Sequence, residues 1–171
     1  ANDAKKYTVT YTPPSGVAGV DAIELQNVTL SIASEAFADA AGNQNADGAE
    51  ANNSVTIKVD SKVPVDPVIV LRTDSLASAA SNAGIGTNSD GITNVTQLTT
   101  TLVEQGATAE YRIVKTADGA EQQSWSSLLD YNDKMSTLAD GQYTVFVRQT
   151  DAAGNVSPGT SNVVITKDTA V

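Results

Sequence analysis

Apolar and polar residues alternate with a spacing of two in run after run of this chain: Tyr7/Val9/Tyr11, Val28/Leu30/Ile32, Val55/Ile57/Val59, Leu98/Thr100/Leu102, Tyr111/Ile113 and Tyr143/Val145/Val147. Successive side chains of a strand point to opposite faces, so each run predicts a strand with one apolar and one polar face. Turn-forming clusters punctuate the runs, at Pro13-Pro14-Ser15-Gly16, Glu104-Gln105-Gly106, Ala117-Asp118-Gly119 and Ala139-Asp140-Gly141. Short strands between such turns predict an all-β sandwich. Helix-period patterning is poor; Ser124 to Asp133 has room for a helical turn, in which Trp125 and Leu128 are expected to plug the sandwich edge. Tyr143, Val145, Val147, Leu102, Tyr111, Ile113 and Trp125 are the expected core of the second half.

The chain also repeats. Phe37-Ala38-Asp39-Ala40-Ala41-Gly42-Asn43 recurs as Gln149-Thr150-Asp151-Ala152-Ala153-Gly154-Asn155, and a β-patterned run ending in Asp60 or Asp168 follows each copy. The closing aspartates stand 108 residues apart (168 − 60), about the length of one sandwich. The expected organisation is therefore an incomplete first module over residues 1–60, carrying a C-terminal half only, a linker over 61–67, and a complete module over 68–171. Pro64 and Pro67 favour extended backbone and make that linker short and stiff.

Charge and composition remove whole classes of function. A formal net charge of −10 and a pI near 4.2 argue against nucleic acid or an anionic membrane as partner, since both require a basic surface. The absence of His and Cys rules out Ser-His-Asp and Cys-His catalysis within the chain, disulfides, and thiolate or imidazole metal sites. Glu24, Glu35, Glu104, Glu110 and Asp130 have no flanking aromatic platform for a sugar, so paired-carboxylate glycoside hydrolysis is not expected either. The longest apolar run, Val68-Ile69-Val70-Leu71, is far too short to insert in a membrane. The expectation is a protein that is not an enzyme.

Leu138-Ala139-Asp140-Gly141-Gln142-Tyr143, followed by Val145 and Val147, looks like the tyrosine corner that opens the F strand of an Ig-type sandwich. Together with Asn88-Ser89-Asp90-Gly91-Ile92-Thr93-Asn94 and Val147 to Asn155, it resembles the bacterial Ig-like repeats of giant type I-secreted (RTX-type) surface adhesins. The resemblance spans nearly all of residues 63–169, but only the second half of the first unit. It implies tandem Ig-like antiparallel β-sandwich modules, an extracellular place on the bacterial cell surface, and calcium (Ca2+) at or near module junctions.

Three constellations are candidates for that calcium. Asp39 with Asn43, and Asp151 with Asn155, lie in the repeated loops: a turn explains them, because Asp caps backbone donors and Gly tolerates positive φ, and so does a hard cation that gathers carboxylate, amide and carbonyl oxygens. The long stretch from Asp74 to Asn94 carries Asp74, Asn88 and Asp90; it lacks the EF-hand pattern, since a glycine register on Gly91 puts Gln97 where Glu is required. Asp60, Asp66 and Asp168 mark the module boundaries. In an Ig topology Asp151 and Asn155 would approach Asp60 and the linker, and Asp168 would await the next module.

The leading functional expectation is a structural extender of an adhesin, serving cell adhesion, biofilm or host attachment, whose partners are neighbouring modules of its own chain and a further segment, from another chain if need be, completing residues 1–60. A carbohydrate- or receptor-binding module and an accessory domain of a secreted polysaccharide-degrading enzyme are the alternatives.

Overall fold

In the computed structural model, residues 9–13, 24–45, 54–72 and 91–169 are described. The chain divides into two compact units, with the boundary between Val63 and Pro64.

In the first unit, strands β1 (Gln26–Ser31) and β2 (Ser54–Val59) form an antiparallel ribbon in the register Val28↔Ile57 and Leu30↔Val55. Period-two alternation puts Val28, Leu30, Val55 and Ile57 on one face of the ribbon. Thr29 and Thr56 face each other on the other side, with their hydroxyls 2.9 Å apart. Among the described residues of this unit Val59 is buried, whereas Ile32, Phe37 and Val55 remain substantially exposed.

The second unit is a β-sandwich and bears out the all-β expectation. Among the described residues, strands β3 (Val68–Leu71) and β5 (Leu98–Thr101) form one antiparallel sheet. The other sheet holds five strands: β4 (Ile92–Thr93), β9 (Ser161–Lys167), β8 (Gly141–Thr150), β6 (Thr108–Lys115) and β7 (Glu121–Ser126), side by side in that order. All its pairings are antiparallel except β4 with β9, which run parallel through Ile92↔Thr166 and Thr93↔Lys167. Strand β8, flanked on both sides, has strict alternation: Tyr143, Val145, Val147 and Gln149 point inward and are buried, while Thr144, Phe146 and Arg148 lie on the outer face.

The core joins these residues to Ile69, Leu98, Tyr111, Ile113, Ile165, Tyr131 and Met135. Each fully buried aliphatic side chain contributes about 1.5–3 kcal/mol of hydrophobic stabilisation. Two sequence expectations need correction, because Leu102 and Trp125 are only half-buried. Trp125 lies outside the core, where the guanidinium of Arg148 stands 4.5 Å from its ring centroid and that of Arg112 5.4 Å away.

The expected helical turn is a full helix, α1 (Leu128–Thr137), and it begins later than expected. Ser127 caps it: its Oγ accepts from the amide of Asp130 at 3.2 Å and donates to the Asp130 carboxylate at 2.7 Å. Tyr131 and Met135, one helical turn apart, are fully buried against the sandwich. The Tyr131 ring packs 5.6 Å from that of Tyr111, and its hydroxyl donates to the Thr96 carbonyl at 2.7 Å. Burial, with the Tyr111 phenol beside it, pushes the Tyr131 phenol up, so it stays a protonated donor. The tyrosine corner forms as expected, the Tyr143 hydroxyl donating to the Ala139 carbonyl at 2.8 Å.

Candidate functional site

The two repeated loops fold alike, bond for bond. In the first, Asp39 Oδ1 accepts from the amides of Ala41 and Asn43, both at 2.9 Å, and Oδ2 accepts from Asn43 Nδ2 at 2.9 Å. In the second, Asp151 Oδ1 accepts from the amides of Ala153 and Asn155, and Oδ2 from Asn155 Nδ2, all at 2.8 Å. Backbone bonds match as well: Asp39 N to Asn43 O at 2.8 Å against Asp151 N to Asn155 O at 3.0 Å, and Asn45 N to Phe37 O against Ser157 N to Gln149 O, both at 2.9 Å. The shared glycine has φ of 89° at Gly42 and 96° at Gly154, a region where a Cβ is strained. The loops differ in setting: Phe37 is half exposed, whereas its counterpart Gln149 is fully buried.

Asp in each loop therefore acts as an acceptor that closes a turn. The Asn43 side chain, then the loop amides, hold the Asp39 carboxyl below its usual range. Burial pushes the Asp151 carboxyl up, but the bonds from Asn155, Ala153 and Gly154 outweigh it and leave a net lowering.

Asp66 has a different and longer-range role. Its Oδ1 accepts from the Gly159 amide at 2.6 Å; its Oδ2 accepts from the Thr160 amide at 2.7 Å, the Thr160 hydroxyl at 2.6 Å and the Ser161 amide at 3.2 Å. Burial acts to raise this carboxyl, yet the bonds from Thr160, Ser157 and the Gly159 amide prevail and bring it down to about 2. Residues 64–67, expected as linker, are thus built into the second unit: Pro64 and Pro67 are fully buried, and the Val65 carbonyl accepts from the buried Gln149 Nε2 at 2.8 Å. Gln149 also binds the Val103 amide through Oε1 at 3.1 Å. Sequence reading did not find the parts played by Gln149, Thr160 and Ser161, because their partners lie far along the chain.

Of the other boundary residues, Asp60 is half-buried and Asp168 exposed. Asp60, in the first unit, accepts from the Lys62 amide at 3.1 Å, and the Asp168 amide donates to the Thr93 carbonyl at 3.1 Å. Asp74, Asn88 and Asp90 lie outside the described residues.

Calcium binding asks for six to eight converging oxygens. Asp39, Asp66 and Asp151 do not suit it as they stand, because N–H or O–H donors point at their oxygens and a cation would have to displace them. Among the described residues, no three carboxylates come close enough to share an ion. Nor is any helix among them long and apolar enough to cross a membrane.

An open cleft of about 440 Å³, lined by both polar and apolar residues including Asn94, Val95, Gln97, Met135 and Lys167, lies beside α1. The Lys167 ammonium, which would be its charged group, is already bound to carbonyls of the helix end.

Comparison with known proteins agrees with the fold. No curated protein matches the chain. The sequence model of the bacterial Ig-like domain matches residues 70–169, well over half of the 171 present. A sandwich with seven strands among its described residues and a tyrosine corner, matched almost end to end by that model, places this chain in the bacterial Ig-like domain family.

Proposed function

We propose that the chain is a structural extender from a secreted bacterial surface protein, in which Ig-like modules set reach and spacing and do no chemistry of their own. The observation that supports this most is the recurrence, in two successive units, of one loop with the same bonds at the same positions. Repetition of a self-closing turn serves a scaffold; a catalytic or receptor-binding site has no need of it. The outer face of the five-stranded sheet points the same way. Its aromatic residues Trp125 and Phe146 carry the guanidiniums of Arg112 and Arg148 over their rings, so neither ring is a bare platform for a sugar.

Attachment, biofilm formation and export by a type I pathway belong to this reading through the adhesin resemblance. Calcium belongs to it at Asp74, Asn88 and Asp90 and at the boundary aspartates Asp60 and Asp168, not at the self-closed loops. The reading frame flanking this chain tests the proposal. Further units of about this length, each with the Asp-Ala-Ala-Gly-Asn loop and the Leu-Ala-Asp-Gly-Gln-Tyr corner, are expected. A catalytic domain as immediate neighbour would favour an accessory module instead.

A further inference from the structure

The segment that leads into the second unit and the strand that leaves it are tied together at Asp66. Its four partners lie 93 to 95 residues further along the chain and end at Ser161, the first residue of β9. Strand β9 starts opposite Val147 and ends opposite Gly141, with β4 parallel to its last residues. The chain thus arrives beside the start of β9 and departs from its end. A pull on the two chain ends draws Asp66 and Ser161 in opposite directions along β9. All four bonds are loaded at once, where an unzipping geometry would load them in turn.

We propose that Asp66 is a tension latch, which transfers pull on the leading segment directly onto β9 and makes the second unit resist extension more than its equilibrium stability alone provides. Three features fit this role. The acceptor is a charged carboxylate, which makes stronger bonds than a neutral oxygen. Pro64 and Pro67 brace it on both sides with fixed φ and full burial. The donor loop has little room to yield, since a Cβ on Gly159 would stand 2.9 Å from the Trp125 ring. Further along β9, Thr166 N to Gly91 O at 2.8 Å and Asp168 N to Thr93 O at 3.1 Å form a second patch under the same load.

The purpose of the latch rests on the extender reading, but its existence is tested on the chain itself, whatever proteins surround it. The full chain is held by its ends at constant force, and the second unit is identified by its length gain, on the order of 35 nm for about 100 residues at roughly 3.4 Å each. Asp66→Asn and Thr160→Val are compared with Met135→Ala, which loosens α1 away from the latch, each having its equilibrium stability measured in denaturant. For the same loss of stability, Asp66→Asn is expected to shorten the lifetime under force roughly tenfold more than Met135→Ala, the rate equivalent of one charge-assisted bond. Thr160→Val is expected to fall between the two. Lifetimes that follow equilibrium stability alone, for all three variants, overturn the latch. Should Asp66→Asn fail to fold, the comparison of Thr160→Val with Met135→Ala decides by the same criterion.

Discussion

The ammonium of Lys167, at the end of β9, donates to the Leu138 carbonyl at 2.6 Å, just past the last turn of α1, and to that of Met135 at 3.0 Å. A helix leaves its final carbonyls unpaired and carries partial negative charge there, so a cation at this point both satisfies and stabilises it. Lys167 is 8% exposed, so water cannot readily take its place. Lys167→Met keeps the aliphatic stem and removes the charge. It is expected to lower unfolding stability by about 2 kcal/mol, and a urea midpoint equal to that of the wild type would contradict the capping role.

That contact also explains what the sequence left hidden. The strands around Tyr111, Ile113, Tyr143, Val145 and Val147 were legible because alternation directly encodes a half-buried strand. The repeated loops were legible because the same letters recur. Helix α1 was legible only as a turn over Ser124 to Asp133, since its inward residues Tyr131 and Met135 are separated by polar Asn132, Asp133 and Lys134, and its cap comes from a lysine about thirty residues downstream. Ser127 with Asp130 is the one local signal, a variant of the capping box with Asp in place of Glu. Asp66 was recognised as a boundary aspartate, but its partners around Thr160 are brought to it only by the closed sandwich. Trp125 is expected at the sandwich edge and in the core, and local sequence does not show which way it faces. The register of β7 against β6, which is irregular there, leaves it on the outer face with the two arginines.

Gly159→Ala should cost stability for two reasons, a φ of +74° and a Cβ placed 2.9 Å from Trp125. Gly119→Ala is the control, with a φ of +71° but open space around the added methyl. The first substitution is expected to lower stability by about 1–3 kcal/mol more than the second. Equal denaturation midpoints would mean that the indole simply moves aside.

Acid should unfold the second unit through Asp66. Its folded pKa is lowered to about 2, so the stability it contributes is fully present above its unfolded value, near 3.9, and is lost as pH falls from there through about 2. Asp151, also lowered, adds in the same direction. Denaturant titrations across this range should give a falling stability for the wild type and a flatter curve for Asp66→Asn. Parallel curves would remove Asp66 from the account.

Asp151→Ala breaks three bonds inside its loop. Because those bonds need no cation, melting temperature is expected to fall by the same amount in calcium as in chelator. A loss seen only in calcium would show that Asp151 is a ligand after all.

The second unit is built to bear tension along the line from its leading segment to the end of β9. The absence of native cysteine allows handles to be attached at chosen introduced thiols. One pair, at Lys62 and Thr169, pulls along that line. The other, at Asp118 and Thr169, joins the β6–β7 turn to the chain exit at the same end of the sheet, and so peels strands apart bond by bond. At one constant force, the folded unit should survive much longer when pulled between 62 and 169 than between 118 and 169. Equal lifetimes in the two directions would contradict the account.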